Sequence, residues 1–227
     1  MPLYVVATPI GNLGDLTARA REVLAACDGV VAEDTRHSGN LLNHLGIKKP
    51  LYSLPAFDES VRVEPLVRRL AAGESLALVT DAGTPAVSDP GAALVRRAVE
   101  EGIAVVPIPG ASAAIAAVSV SGFPEGRFHF AGFLPRKASQ RAEMLAELRG
   151  LRSQLVFYES PQRLARTLAD LRAALGDRPA VVGRELTKLH EELARGEGPK
   201  AIAEALSATH SKRGVYQLAL ELKKGPA

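Results

Sequence analysis

Aromatic side chains are scarce in this sequence: Phe, Tyr and Trp make up 4%, and there is no Trp. Rings cannot fill the interior, so the core must come from the Ala, Val and Leu of a 47% hydrophobic chain. There is one cysteine, Cys27. A single thiol excludes an intramolecular disulfide framework and zinc sites of the common spacings, and it suits a reducing compartment. No apolar run approaches the roughly 20 residues that span a bilayer. The opening MPLYVVATPIG has no basic stretch ahead of an apolar one, so no secretory signal is expected. These absences point to a soluble, cytoplasmic protein with no membrane partner.

Familiar site signatures are missing too. No G-x-x-x-x-G-K-[ST] occurs, which excludes a P-loop. The one G-x-G-x-x-A match, GEGPKA at 196–201, contains proline and follows a charged stretch, so it reads as chance. The five histidines, at 37, 44, 129, 190 and 210, are scattered, and HEE at 190–192 lacks the second His of a zincin, so no metal site is expected. PGASAA at 109–114 is not a nucleophile elbow.

What is present is a regular alternation. Strands are expected at 3–8, 29–33, 51–54, 75–79 and 103–108, and helices at 17–27, 35–45, 61–72, 91–101 and 112–121. Most of these helices end at a glycine, the residue that best takes the left-handed conformation past a helix end. The β-α-β-α order predicts an α/β fold with a largely parallel sheet covered on both faces. The turn-rich SGFPEG at 121–126 marks a boundary, giving domains at 1–118 and 119–227. In the second, strands are expected at 127–133, 154–159, 180–186 and 214–222, and helices at 140–149, 161–175 and 199–208. Charge is uneven. Residues 1–112 carry ten Lys/Arg against thirteen Asp/Glu, a net −3, and residues 113–227 carry eighteen against twelve, a net +6. The basic half reads equally as a solvated surface or as a face for a polyanion.

In open α/β sheets ligands bind beyond the carboxyl ends of the strands. Four such ends are polar or rich in Gly and Pro: TPIGN (8–12), EDTR (33–36), TDAGTP (80–85) and PIPGAS (107–112). The long loop VTDAGTPAVSDPG (79–91) has two glycines, two prolines and two aspartates but no lysine. That composition suits a nucleoside-like ligand bound by backbone groups with few countercharges, not a phosphate-rich one. S-adenosylmethionine, a zwitterion carrying adenosine, is the leading candidate.

Seven ordered blocks carry a family resemblance: TPIGNLGDLTARA, AEDTRHSGNLL, LVTDAGTPAVSDPG, PIPGASAAIAAVSVSGFP, FAGFLPRK, FYESPQR and RELTKLHEE. Together they resemble the ribosomal RNA small subunit methyltransferase I family of the tetrapyrrole methylase superfamily. The resemblance implies two α/β domains of the class III methyltransferase type, with S-adenosylmethionine in the interdomain cleft, and a homodimer. It implies 2'-O-ribose methylation of a cytidine in the decoding region of 16S rRNA, within the small ribosomal subunit. The rival readings are methylation of a corrin or porphyrin precursor and a non-catalytic RNA-binding assembly factor.

Carried over by motif, the expected cofactor contacts are Pro9, Asp81, Ala82, Gly83, Thr84, Val87, Ser112 and Ala113, with Tyr158, Glu159 and Leu186 from the second domain. Asp81 is suited to the methionine amino group, or alternatively to capping a turn. Asp34, Glu33 and Glu185 lie at strand ends and are candidate general bases, Asp34 foremost, although Asp34 reads equally as the N-cap of the next helix. Arg36, Arg136, Lys137, Arg184 and Lys188 are expected RNA contacts. The chain departs from the family pattern at Asp58–Glu59, where relatives often have Asn-Glu, and at GVYQLA (214–219).

Overall fold

The structure, a computed structural model, describes residues 1–124, 126–184, 186–187, 194–196 and 216–220. It divides into two compact units, Met1–Ser112 and Ala113–Ala227. The division falls slightly ahead of the expected 118/119 boundary, so the helix at 113–120 goes with the second unit.

In the first unit five strands form one parallel sheet. They are β1 (Leu3–Val6), β2 (Gly29–Ala32), β3 (Leu51–Ser53), β4 (Leu76–Val79) and β5 (Val105–Ile108), in the order β3-β2-β4-β1-β5. The helices are α1 (Ala18–Ala26), α2 (Thr35–His44), α3 (Glu59–Ala71) and α4 (Ala92–Glu100). Pleat alternation sorts the core. On β4, Leu76 and Leu78 join Leu66, Leu70, Leu94 and Ala98 of α3 and α4, while Ala77 and Val79 join Ala20, Leu24 and Leu42 of α1 and α2. A strand buried on both faces reads as the continuous apolar run LALV. Past α2, α3 and α4, Gly46, Gly73 and Gly102 all have positive φ, as their sequence positions led one to expect.

This topology fixes where a ligand belongs. β1 leads into α1 on one face of the sheet, and its neighbour β4 leads into α4 on the other. Adjacent strands whose connections leave on opposite faces open a crevice at their carboxyl ends. The loops at 8–12 and 80–91 sit there.

The second unit is mixed rather than parallel. β6 (Phe128–Phe133) pairs in parallel with β7 (Gln154–Glu159), while β10 (Tyr216–Leu220) runs antiparallel between β7 and β8 (Ala180–Arg184), and β9 (Ala194–Gly196) adds an antiparallel edge. β9 has no counterpart among the expected strands. Its three residues are too short for a periodic signal. α6 (Ala138–Leu148) and α7 (Pro161–Leu175) cover one face through Leu145 and Leu148 and the stripe Leu164, Leu168, Leu171 and Leu175. α5 (Ala113–Val120) packs against β7 and β10. The helix expected at 199–208 lies outside the described residues. Among the described residues no helix is long and apolar enough to cross a membrane.

Candidate active site

Three strand-end loops of the first unit are tied together by backbone and small hydroxyl groups. Thr8 and Gly83 form an isolated antiparallel bridge, the Thr8 amide donating to the Gly83 carbonyl at 2.9 Å and the Gly83 amide to the Thr8 carbonyl at 3.2 Å. Thr8 Oγ1 donates to the Thr80 carbonyl at 3.0 Å, and Thr84 Oγ1 to the Ala111 carbonyl at 3.2 Å. Gly83 has φ +90, a conformation that a side chain would strain. Ala86 and Ser88 also have positive φ, +63 and +66, without being glycine. Left-handed backbone at two such residues in one loop is a strained arrangement held by its surroundings, and such strain gathers at ligand-binding loops. Pro9, Asp81, Gly83, Thr84 and Ser112 are thus brought together, with Ala82 and Val87 exposed on the same loop.

The loop ends where α4 begins, and that start is built from outside the helix. The N-cap is Gly91 at φ +122, and a Cβ there would meet Leu78 Cδ2 at 2.6 Å, so no side chain fits. Glu59 supplies the cap instead, its Oε1 accepting from the amides of Gly91 at 2.9 Å and Ala93 at 3.1 Å. Of the pair Asp58–Glu59, it is the Glu shared with the Asn-Glu of relatives that anchors the end of the long loop. The other, Asp58, pairs with Arg62 at 2.9 Å.

Carboxylates gather at the neighbouring ends of β2 and β4. Burial raises the pKa of Glu33, and the charges of Asp89, Asp81 and Asp34 raise it further. Asp89 is also raised, chiefly by burial and further by the charge of Asp81. Asp81 Oδ1 is buried with no partner among the described residues. Asp34 differs from all of these. Its Oδ1 accepts the Arg36 amide at 2.8 Å as the N-cap of α2, and its Oδ2 accepts from Arg36 Nη2 at 2.7 Å. These bonds hold its carboxyl well below the usual range. Of the two readings of Asp34, the cap is the one the geometry displays. Glu185, the third candidate base, lies outside the described residues, as does Lys188. No three His, Cys, Asp or Glu side chains among the described residues are arranged to hold a metal ion.

In the second unit Tyr158 Oη accepts the Ala114 amide at 3.2 Å, one residue from Ala113. Its ring meets Phe130 and Phe133 edge to face, with centroids 4.8 and 5.6 Å away. Glu159 is fully buried, and its own neighbours take up both oxygens: Ser160 N at 2.7 Å on Oε1 and Thr167 Oγ1 at 2.6 Å on Oε2. Its carboxylate is turned inward onto these neighbours. Arg136 and Lys137 are exposed side by side between β6 and α6, Arg184 is half-buried at the end of β8, and Leu186 follows two residues later. Sequence reasoning passed over Asp89, whose burial no spacing reveals, and Glu59. The signal for Glu59 was the absence of a capping side chain at Gly91.

The profile of the family described as Tetrapyrrole (Corrin/Porphyrin) Methylases matches residues 2–201. A protein of Xylella fastidiosa named "Ribosomal RNA small subunit methyltransferase I" is 47% identical over 220 residues, covering 96% of this chain and 81% of the relative. One of Halalkalibacterium halodurans with the same name is 48% identical over 207 residues, 91% of this chain and 72% of the relative. Among solved structures, a diphthine synthase superposes with TM-score 0.75 at 18% identity, covering 97% of this chain and 90% of the other. A uroporphyrin III C-methyl transferase from Thermus thermophilus superposes with TM-score 0.65 at 18% identity, covering 98% of both chains. At that identity these last two speak for the fold alone.

Proposed function

The chain belongs to the ribosomal RNA small subunit methyltransferase I family of tetrapyrrole methylases, and from that premise we propose that it methylates a ribose 2'-oxygen. The acceptor is a cytidine in the decoding region of 16S rRNA, within the small subunit in the cytoplasm, and the donor is S-adenosylmethionine. The observation that carries this reading is the crevice at the β1/β4 switch point. Its loops at 8–12, 80–91 and 107–112 contain no Lys or Arg. They offer backbone groups and one unpartnered carboxylate oxygen beside a carboxyl of raised pKa.

The residues present fit such a cofactor. The free Oδ1 of Asp81 suits an ammonium or a ribose hydroxyl, and Pro9, Ala82, Gly83, Thr84, Val87 and Ser112 would line the rest. Ala113, Tyr158 and Leu186 are proposed contacts from the second unit on the strength of the family, and Glu159 a support behind them. S-adenosylmethionine supplies a methyl group on a sulfonium, a good leaving group. The protein must then orient the acceptor and remove its proton. Orientation can contribute on the order of 7–11 kcal/mol, and a general base about 10²–10⁴-fold. Glu33 is proposed as the proton acceptor, because a raised pKa matches a base working near neutrality better than the depressed one of Asp34. Arg36, Arg136, Lys137, Arg184 and Lys188 are proposed to contact RNA phosphates. Family membership is also the ground for expecting a homodimer, which sedimentation equilibrium measures directly.

The test is transfer of labelled methyl from S-adenosylmethionine to unmodified 30S subunits, naked 16S rRNA and a tetrapyrrole precursor, with nuclease mapping of the product. Label on one ribose 2'-oxygen of the subunit is expected. Label on the tetrapyrrole alone would replace the substrate but keep the chemistry. Cofactor binding without any transfer would favour an assembly factor.

A further inference from the structure

Two guanidinium groups in the second unit are drawn inward, and the chemistry above does not use them. Arg141, in the first turns of α6, is 4% exposed. Its Nε donates to Asp170 Oδ2 on α7 at 2.6 Å, and its Nη1 donates to the carbonyl oxygens of Pro135 at 3.0 Å and Arg136 at 3.1 Å. Arg163, on the first turn of α7, donates from Nη2 to the carbonyl of Leu134 at 2.8 Å and to that of Pro135 at 3.4 Å. The same nitrogen lies 3.4 Å from Oε2 of the buried Glu159. Thr167 donates to that oxygen one turn further on. Arg163, Thr167 and Asp170 follow at helical spacing, so one stripe of α7 serves the whole network.

Three consecutive carbonyls, those of residues 134 to 136, are thus fixed by two cations directly ahead of the exposed pair Arg136–Lys137. A surface turn at a strand end ordinarily hydrates its carbonyls with water. Burying a guanidinium is unfavourable unless it is fully paired. Here each cation has a carboxylate partner, Asp170 or Glu159, and each also donates to main-chain carbonyls of the turn. The outcome is a turn whose shape is set before anything binds. Pre-ordered loops bind more tightly because the ordering cost has already been met.

We infer that Arg141 and Arg163 are positioning residues for the RNA substrate: backed by Glu159, Thr167 and Asp170, they lock the 134–136 turn so that Arg136 and Lys137 meet phosphates in one fixed geometry. This rests on the RNA reading given above. The test is a cycle of three proteins, Arg163→Lys, the double variant Arg136→Ala/Lys137→Ala, and their combination, assayed on unmodified 30S subunits beside the wild type. Arg163→Lys keeps the charge and loses the planar fork. It should raise KM for subunits by roughly 10-fold to 10²-fold, as misplacement of contacts does, with kcat nearly unchanged and S-adenosylmethionine affinity untouched. The salt dependence of RNA binding should become shallower by about one phosphate contact. The combined variant should be no worse than the double variant, because all three residues act through the same contacts. If Arg163→Lys does not fold, as its melting curve would show, Arg141→Lys takes its place in the cycle. A fall in melting temperature with KM for subunits unmoved would overturn the inference, as would losses that multiply in the combined variant. If the double variant itself leaves KM and the salt dependence unchanged, the RNA reading of this turn falls and the inference with it.

Discussion

The two units secure their strand-end loops by opposite means. In the first, the loops at 8–12, 80–91 and 107–112 are joined by a two-residue backbone bridge and threonine hydroxyls, and these three contain no basic residue. In the second, the turn after β6 is held by the buried Arg141, the half-buried Arg163 and their carboxylate partners, and presents two exposed cations. The difference matches two kinds of ligand. A compact zwitterion needs close backbone approach and an acceptor such as Asp81. A polyanion needs cations held at a fixed spacing. The sheets follow suit. The parallel sheet of the first unit gathers its βα loops at one end, and the mixed sheet of the second does not.

The largest effect that would break this contrast belongs to the first unit. Glu33→Gln should lower methyl transfer to subunits by about 10²–10⁴-fold, while Asp34→Asn, which keeps a capping side chain, should stay within a few-fold of wild type. Single-turnover rates at saturating subunit measure both, and the reverse ranking would return the base to Asp34. The acid limb of the wild-type rate should lie higher than an unshifted glutamate would place it, because Glu33, as the proposed base, must be ionised to take a proton. Stability should move the other way. A carboxyl with a raised pKa in the folded state favours folding in its protonated form. That contribution is complete below the unfolded pKa and is lost as pH rises through the folded one. Glu33→Gln should therefore melt higher than wild type at neutral pH, with the gap closing in acid.

Gly83→Ala comes next. Its φ of +90 is retained by the Thr8 bridge, and a side chain there should cost about 1–2 kcal/mol and weaken cofactor binding in calorimetry. Glu59→Ala removes the cap of α4 and should lower stability by about 1 kcal/mol, read from urea midpoints. A larger loss of transfer than of stability would give Glu59 a second role. Smallest is Arg36→Ala. Its side chain is 89% exposed and its pairing with Asp34 is screened by solvent, so stability should hardly change. RNA affinity should weaken uniformly, with the salt slope reduced by about one.

Much of this molecule was legible in its residues. The apolar runs LYVV, GVVA and LALV, the capping Thr17 and the Pro161 start of α7 placed strands and helices within a few residues. The Gly- and Pro-rich strand ends marked the crevice. These are local signals, set by side-chain branching, helix periodicity and turn chemistry, and they are readable wherever they occur. The strand order, the positive φ of Ala86 and Ser88, the cap that Glu59 lends across to α4, and the raised pKa of Glu33 were not legible. Nor was the inward turn of Arg141, which in sequence resembles any surface arginine on an amphipathic helix. Each of these depends on what lies opposite a residue in space. Burial, charge proximity and borrowed caps arise only when segments far apart in the chain are packed together, so sequence alone determined the elements and the location of the loops, and the tertiary structure decided which side chains can work there.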